Sequence, residues 1–116
     1  FFTKMGGAFA TKQGDRFLRA YFERMAKHGE EMLALASDVF EGCKVTLSAK
    51  VAGIHWHRLH PSRAAEAAAG YYCGEGFNAY EKIAELFAKY DVVFLFTCLE
   101  KKDSSEKPKA NASPEK

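Results

Sequence analysis

Lys50, Gly53, His55 and Trp56 occur within one short segment, KVAGIHW, and their side chains together could bind a polar ligand. An ammonium group and an imidazole form hydrogen bonds with hydroxyls, whereas an indole face packs against the C–H side of a sugar ring. Gly53 removes a Cβ where the chain turns sharply or where a ligand approaches the backbone. The segment therefore suits carbohydrate binding, although a solvated lysine, a loop histidine and a core tryptophan would look the same in sequence.

Residues 44–50 alternate between apolar and polar side chains, which predicts a strand with one packed face. The apolar face would pack against helices. The polar face carries small hydroxyls and ends in Lys50, which suits the inside of a barrel whose mouth binds something polar. The two predicted faces consist of Val45, Leu47 and Ala49 on one side and Lys44, Thr46, Ser48 and Lys50 on the other.

A second strand is predicted over Asp91–Cys98, where DVVFLFTC is a nearly continuous apolar run that ends at Thr97. A strand without alternation is typical of a parallel strand buried on both faces. Parallel strands end at the same edge of a sheet, where α/β folds place their sites. We therefore expect Thr97 and Glu100 to lie near Lys50 and His55.

Helical periodicity predicts one long helix from about Lys12 to about Glu41, with a possible break at His28 and Gly29. Gly42 would end this helix. The helix carries one apolar stripe, whose members include Phe17, Leu18, Tyr21, Phe22, Met25, Met32 and Leu33.

Two shorter helices are predicted between the strands. The first follows Pro61 and Ser62 and contains Glu66, which is either a buried ion-pair partner or a surface carboxylate. A loop over 70–76 separates it from the second helix, which Asn78 would cap and which ends near Tyr90. Ile83, Ala84, Leu86 and Phe87 would form the buried side of that helix. Strands separated by helices predict an α/β fold with parallel connections.

Composition narrows the functional classes. With 47% hydrophobic and 14% aromatic residues among 116, the chain has the composition of one modest folded domain. A net charge of +2 without a basic stripe argues against nucleic acid, and no apolar run reaches membrane-spanning length. Three cysteines without CxxC spacing favour reduced thiols in an intracellular compartment.

Residues 101–116 are rich in Lys, Ser, Glu and Pro, which predicts a polar loop or disordered segment leading to a helix start at Ser113.

One alternative is a metal-dependent hydrolase. His55, His57 and His60, with Cys73 later in the chain, offer nitrogen and sulfur ligands of the kind that Zn²⁺ prefers. No carboxylate or second histidine pair completes the set, so we expect no metal and no cofactor.

Three segments in order, KVAGIHWH, AAEAAAGYY and FTCLE, make the chain similar to the plant-type beta-amylases. The resemblance runs nearly the whole length, from the first residues to the Ser-Pro-Glu of the tail. It implies a (β/α)8 barrel, of which residues 1–100 would cover about two βα units, and inverting release of maltose from starch or another α-1,4-glucan. The chain departs from the family pattern at His57 and Arg63, positions that concern outer parts of the substrate site.

The resemblance also implies individual roles. Lys50 and His55 would bind substrate hydroxyls, Gly53 would allow close approach, and Thr97 would lie on a mobile inner loop near the hydrolytic water. Neither Glu66 nor Glu100 matches the family's two catalytic carboxylates, so we expect an internal fragment that is inactive alone, from a plastid or cytoplasmic enzyme. A non-catalytic relative that binds glucan without hydrolysing it is the second alternative.

Overall fold

The computed structural model describes residues 1–2, 7–53, 68–97, 99–108 and 114–115. Two helices, two parallel strands and a small hairpin form the framework of these ranges. The helices are α1 (Lys12–Val39) and α2 (Ala79–Lys89), and the strands are β1 (Ser48–Val51), β2 (Cys73–Gly74), β3 (Phe77–Asn78) and β4 (Val93–Phe96). Short 3-10 turns occupy Ala8–Ala10 and Asp103–Ser105. The helix predicted after Pro61, including Glu66, lies almost entirely outside the described residues.

Strands β1 and β4 pair in parallel, as the predicted α/β order requires, with Lys50 opposite Leu95 and Val51 opposite Phe96. Both predicted strands are therefore present, and α2 lies in the segment that connects them. Alternate residues of β1 face the helices, so Val51 packs with Phe87 of α2 and with Val92 just before β4. Leu47 and Ala49 pack at the edge of this same cluster.

Two expectations about the strands are wrong in detail. β1 begins at Ser48 rather than Lys44, and Val45 is 56% exposed, so the packed face starts at Leu47. β4 is not buried on both faces, because Val93 and Leu95 are 46% and 41% exposed. Both side chains share a face with Ser48 and Lys50, and the described helices cover only the opposite face.

Helix α1 is continuous through His28 and Gly29, where the sequence had allowed a possible break. One helix-interior glycine costs only about 1 kcal/mol relative to alanine, and the apolar stripe keeps its phase on both sides of it. The Thr11 side chain caps the helix by accepting a hydrogen bond from the Gly14 amide at 3.1 Å. Gly42 follows the end with a φ of +76°, which only glycine adopts readily.

The apolar stripe of α1 is only half buried. Leu18 and Phe22 are in the core, whereas Phe17 and Met32 are 54% and 53% exposed. Neither helix among the described residues combines enough length with enough apolar character to cross a membrane.

Helix α2 begins and ends close to its predicted bounds. The Asn78 side chain caps it by accepting from the Tyr80 amide at 3.1 Å. Phe87 is buried and Ile83 is partly buried, but Ala84 is exposed, so that part of the predicted buried side is wrong.

The loop predicted over 70–76 contains part of a β-hairpin. Cys73 pairs with Asn78 and Gly74 with Phe77, and Gly76 in the turn has a φ of +64°. Strands of two residues are too short to show alternation, so the pattern gave no signal for them.

The tail folds back in its described part. The Asp103 amide donates to the Glu115 carboxylate at 2.7 Å, and the Glu115 amide donates to the Asp103 carboxylate at 3.1 Å. Lys101 forms an ion pair with Glu106. The polar segment is therefore partly ordered by its own side chains, while the predicted helix start at Ser113 lies outside the described residues.

Candidate functional site

The carboxyl ends of β1 and β4 meet, and two hydrogen bonds join them. The Thr97 amide donates to the Val51 carbonyl at 3.1 Å, which continues the parallel ladder beyond β4. The Gly53 amide then donates to the Thr97 hydroxyl oxygen at 3.0 Å. Two of the sequence-predicted residues, Gly53 and Thr97, are thus in direct contact across 44 positions of sequence.

Gly53 permits a close approach of the chain to itself. A Cβ added at this position would lie 2.2 Å from the Thr97 carbonyl oxygen and 3.3 Å from a ring carbon of Phe96. Cβ atoms do not come within 3.0 Å of non-bonded heavy atoms, so a side chain here would push the main chain at Gly53 away from Thr97. The requirement for glycine therefore comes from the neighbouring strand end, where the sequence had suggested a sharp turn or a ligand.

Lys50 lies on the exposed face of β1, opposite Leu95. In the part of the chain that the structure describes, its ammonium group has no ion-pair partner. With respect to the described residues, its three ammonium donors are available to a ligand on this face. His55 and Trp56, the other members of the predicted group, lie outside the described residues.

Two tyrosines that the sequence interpretation did not single out hold the intervening residue, Ala52. The Ala52 amide donates to the Tyr71 hydroxyl at 3.3 Å, and the Tyr80 hydroxyl donates to the Ala52 carbonyl at 2.8 Å. The two tyrosine rings are stacked, with centroids 5.1 Å apart and an interplanar angle of 8°. Tyr80 also contacts the Phe96 ring edge-on at 5.6 Å. Sequence carried only a weak signal for this, the Gly-Tyr-Tyr run that follows the helix predicted after Ser62.

These bonds determine what the site can do. The Thr97 oxygen accepts from Gly53, so its own proton points elsewhere and can be donated to a bound hydroxyl or water. Lys50 adds donors on the adjoining face. The arrangement therefore offers hydrogen-bond donors that can bind a ligand rich in oxygen acceptors, such as hydroxyl groups. Glu100, predicted nearby, lies in an exposed turn beyond Thr97.

The metal hypothesis gains nothing from the described residues, which contain no cluster of three possible ligands. His55, His57 and His60 lie outside them. Cys73 is partly buried, and its thiol donates to the Asn78 side-chain oxygen at 3.4 Å.

A second polar cluster joins the start of α1 to the hairpin, and the sequence interpretation missed it. The Tyr72 hydroxyl donates to Asp15 at 2.6 Å, and Arg19 donates to the same carboxylate at 2.9 Å. Arg19 also donates to the Glu75 carbonyl at 2.7 Å and lies over the Phe77 ring at 5.0 Å. The bond from Tyr72, and after it the bond from Arg19, hold the pKa of Asp15 below its ordinary value. The i, i+4 spacing of Asp15 and Arg19 was the available signal.

Comparison with known proteins gives a consistent result. The family model described as glycosyl hydrolase family 14 matches residues 1–116. Among curated relatives, the chain is 40% identical over 115 residues to "Beta-amylase" of Medicago sativa, covering 99% of this chain and 23% of that protein. It is 40% identical over 116 residues to "Beta-amylase 1, chloroplastic" of Arabidopsis thaliana, covering 100% of this chain and 20% of the relative.

A third relative, "Beta-amylase Tri a 17" of Triticum aestivum, is 39% identical over 114 residues, which are 98% of this chain and 23% of the relative. The chain thus spans about a fifth of the length of these relatives. The resemblance noted from KVAGIHWH, AAEAAAGYY and FTCLE is confirmed at the level of the family. On the match of the whole chain to the family model, this chain belongs to glycosyl hydrolase family 14.

Proposed function

We propose that this chain is part of a beta-amylase, an enzyme that hydrolyses the α-1,4-glucosidic bonds of starch and related glucans and releases maltose from their non-reducing ends with inversion. Family membership and the names of the relatives support a starch-hydrolysing glycosidase. The proposal extends to a (β/α)8 barrel, of which residues 1–100 supply about two βα units and residues 101–116 lead toward the next helix. The parallel pairing of β1 with β4 across a helical crossover supports that architecture.

The observation that carries the proposal is the junction of the two strand ends. Lys50 presents donors on the exposed face, and Thr97 is held against Gly53 with its hydroxyl proton unused by that bond. Parallel barrels place their sites at this end of their strands. We assign substrate binding to Lys50, Gly53, His55 and Thr97, with His55 included on the family resemblance alone.

Catalysis in this proposal requires two carboxyl groups, one that protonates the leaving oxygen and one that activates water. We assign neither role to a residue of this chain and expect residues 1–116 alone to be inactive. No metal or cofactor takes part, so treatment with a chelator leaves the activity unchanged. The location is intracellular, in a plastid or the cytoplasm; the word "chloroplastic" in the Arabidopsis relative's name supports the plastid.

The test uses protein expressed from the complete reading frame and measures maltose released from soluble starch, with the anomer identified by NMR. Lys50→Ala removes the proposed donor and is expected to lower kcat/KM about 100-fold, because substrate positioning is lost. Lys44→Ala is the matched control, since Lys44 is also an exposed lysine but lies before β1. Its activity should equal that of the unmodified protein.

Other outcomes lead to other functions. Starch binding without maltose release would replace the proposal with a non-catalytic glucan-binding role. Stoichiometric zinc binding that is lost in a His55→Ala, His57→Ala double variant would favour the metal-dependent hydrolase. Equal activity in the Lys50→Ala and Lys44→Ala variants would remove Lys50 from the site.

A further inference from the structure

A chain of two hydrogen bonds passes through a single peptide unit between Tyr80 and Thr97. The Ala52 carbonyl and the Gly53 amide belong to the same peptide. The Tyr80 hydroxyl donates to that carbonyl at 2.8 Å, and the amide donates to the Thr97 oxygen at 3.0 Å. Among the described residues every peptide bond is trans, so these two groups point in opposite directions. Tyr80 and Thr97 therefore bind opposite edges of one peptide group.

This arrangement fixes an orientation more than it adds stability. Ala52 is exposed, so water could satisfy its carbonyl if the Tyr80 hydroxyl were absent. A hydrogen bond of this kind contributes on the order of 1 kcal/mol net. The packing of Tyr80 against Tyr71 and Phe96 depends on its ring and would survive loss of the hydroxyl. The specific effect of the hydroxyl is on the direction and polarisation of the Gly53 N–H.

Tyr71 restrains the neighbouring peptide, between Val51 and Ala52. Its hydroxyl accepts from the Ala52 amide, which lies in the preceding peptide, and its ring stacks on that of Tyr80. With both main-chain groups of Ala52 held, little rotation remains between Val51, whose carbonyl is bonded to the Thr97 amide, and Gly53.

We propose that Tyr80 is a positioning residue for the Thr97 hydroxyl, acting through the Ala52–Gly53 peptide, and that Tyr71 supports it. The Gly53 amide occupies one lone pair of the Thr97 oxygen and so directs the Thr97 proton away from the main chain. Tyr80 keeps the amide aimed at that oxygen. The consequence for glucan turnover rests on the proposed function, whereas the hydrogen-bond relay itself does not.

The relay is tested first without any substrate. In protein expressed from the complete reading frame, amide hydrogen exchange at Gly53 is compared between the unmodified protein and Tyr80→Phe, which keeps the ring and removes only the hydroxyl. We expect exchange at Gly53 to be roughly 3- to 10-fold faster in the variant, as loss of one hydrogen bond predicts. Tyr72→Phe is the matched control, since the hydroxyl of Tyr72 is bonded to Asp15, and should leave Gly53 exchange unchanged.

The second test is a double-mutant cycle on starch hydrolysis. Tyr80→Phe is expected to lower kcat/KM roughly 3- to 10-fold, with the thermal midpoint nearly unchanged. In a Thr97→Val background, which lacks the acceptor oxygen, the same change should have no further effect on kcat/KM, because the proposed relay from Tyr80 ends at that oxygen. A merely structural role for Tyr80 would instead give additive losses.

Additive losses, or Gly53 exchange that is the same in Tyr80→Phe as in the unmodified protein, would overturn the proposal. If the unmodified protein released no maltose, the proposed function would fail, and the exchange result alone would then support or overturn the relay.

Discussion

Tyr71 and Tyr72 are neighbours in sequence, yet their hydroxyls hold two different regions together. Tyr71 bonds to the main chain of Ala52 at the strand ends, whereas Tyr72 bonds to the carboxylate of Asp15 near the start of α1. Residues 71 and 72 therefore link two regions. One is the strand-end site, around Ala52, Gly53 and Thr97, and the other is the α1–hairpin cluster, around Asp15 and Arg19.

The two regions differ in the kind of bond that holds them. At the strand ends, the bonds described join neutral hydroxyls to main-chain groups, as in the contacts of Tyr80 and Thr97. In the α1–hairpin cluster they centre on the ion pair of Asp15 and Arg19. Neutral bonds respond little to pH and salt, whereas ionic ones respond to both. The proposed glucan site thus depends on bonds whose geometry should change little with pH and salt.

The largest expected effect is at Gly53. In Gly53→Ala the new Cβ would lie 2.2 Å from a main-chain oxygen, so the strand ends must separate. We expect a loss of roughly 1–3 kcal/mol in stability and about a 100-fold fall in starch hydrolysis, since the Thr97 hydroxyl is displaced. Unfolding by urea and maltose release measure the two effects.

Gly29→Ala is the control for that substitution. A Cβ at Gly29 meets no atom of the described residues within 4 Å, and the position is inside a helix. Alanine should stabilise the protein by about 0.5–1 kcal/mol and leave hydrolysis unchanged. Normal hydrolysis in Gly53→Ala would show that the close strand-end contact is unnecessary.

A smaller, pH-dependent effect is expected at Tyr72. Its hydroxyl is the largest cause of the lowered pKa of Asp15. A lowered folded-state pKa contributes stability above the unfolded value, about 3.9 for Asp, and that contribution disappears as pH falls through the folded pKa. Tyr72→Phe should therefore cost about 1 kcal/mol at neutral pH, and the difference from the unmodified protein should shrink below about pH 4.

Thermal midpoints measured between neutral and acid pH test this expectation, with Tyr71→Phe as the comparison. The effect of Tyr71→Phe should not depend on pH, because its partner is the Ala52 main chain. Parallel pH profiles for the two variants would contradict the division into a neutral and an ionic region.

The smallest effect is expected at the ion pair between α1 and α2. The Lys89 Nζ lies 2.5 Å from the Glu30 Oε1, and the two side chains are 61% and 38% exposed. The bond and charge of Lys89 lower the pKa of Glu30, but exposed pairs contribute little because water and salt screen them. Lys89→Gln should change the thermal midpoint hardly at all, and added salt should remove any difference. If Lys89→Gln lowered the thermal midpoint as much as Tyr72→Phe does, the partly buried Asp15 cluster would be no stronger than this exposed ion pair.

Much of the framework could be predicted because its causes are local. The long helix from about Lys12, its Gly42 end and the Asn78 cap follow from side chains acting within one turn. The failures have non-local causes. The apolar run that contains Val93 and Leu95 predicted a strand buried on both faces. Burial depends on what covers each face, and the described helices cover only one.

The sequence by itself determined the family, the order of the two long helical segments and the two parallel strands, and the residue types at the strand ends, because motifs, caps and periodicity depend on neighbours in the chain. Only the tertiary structure decided that Gly53 is needed by the Thr97 main chain, that Tyr71 and Tyr80 hold Ala52, and that Tyr72 meets Asp15. The last contact joins residues 57 positions apart. The physical reason is that such contacts depend on how distant segments pack, and a hydroxyl that reaches a distant main-chain atom leaves no periodic signal in sequence.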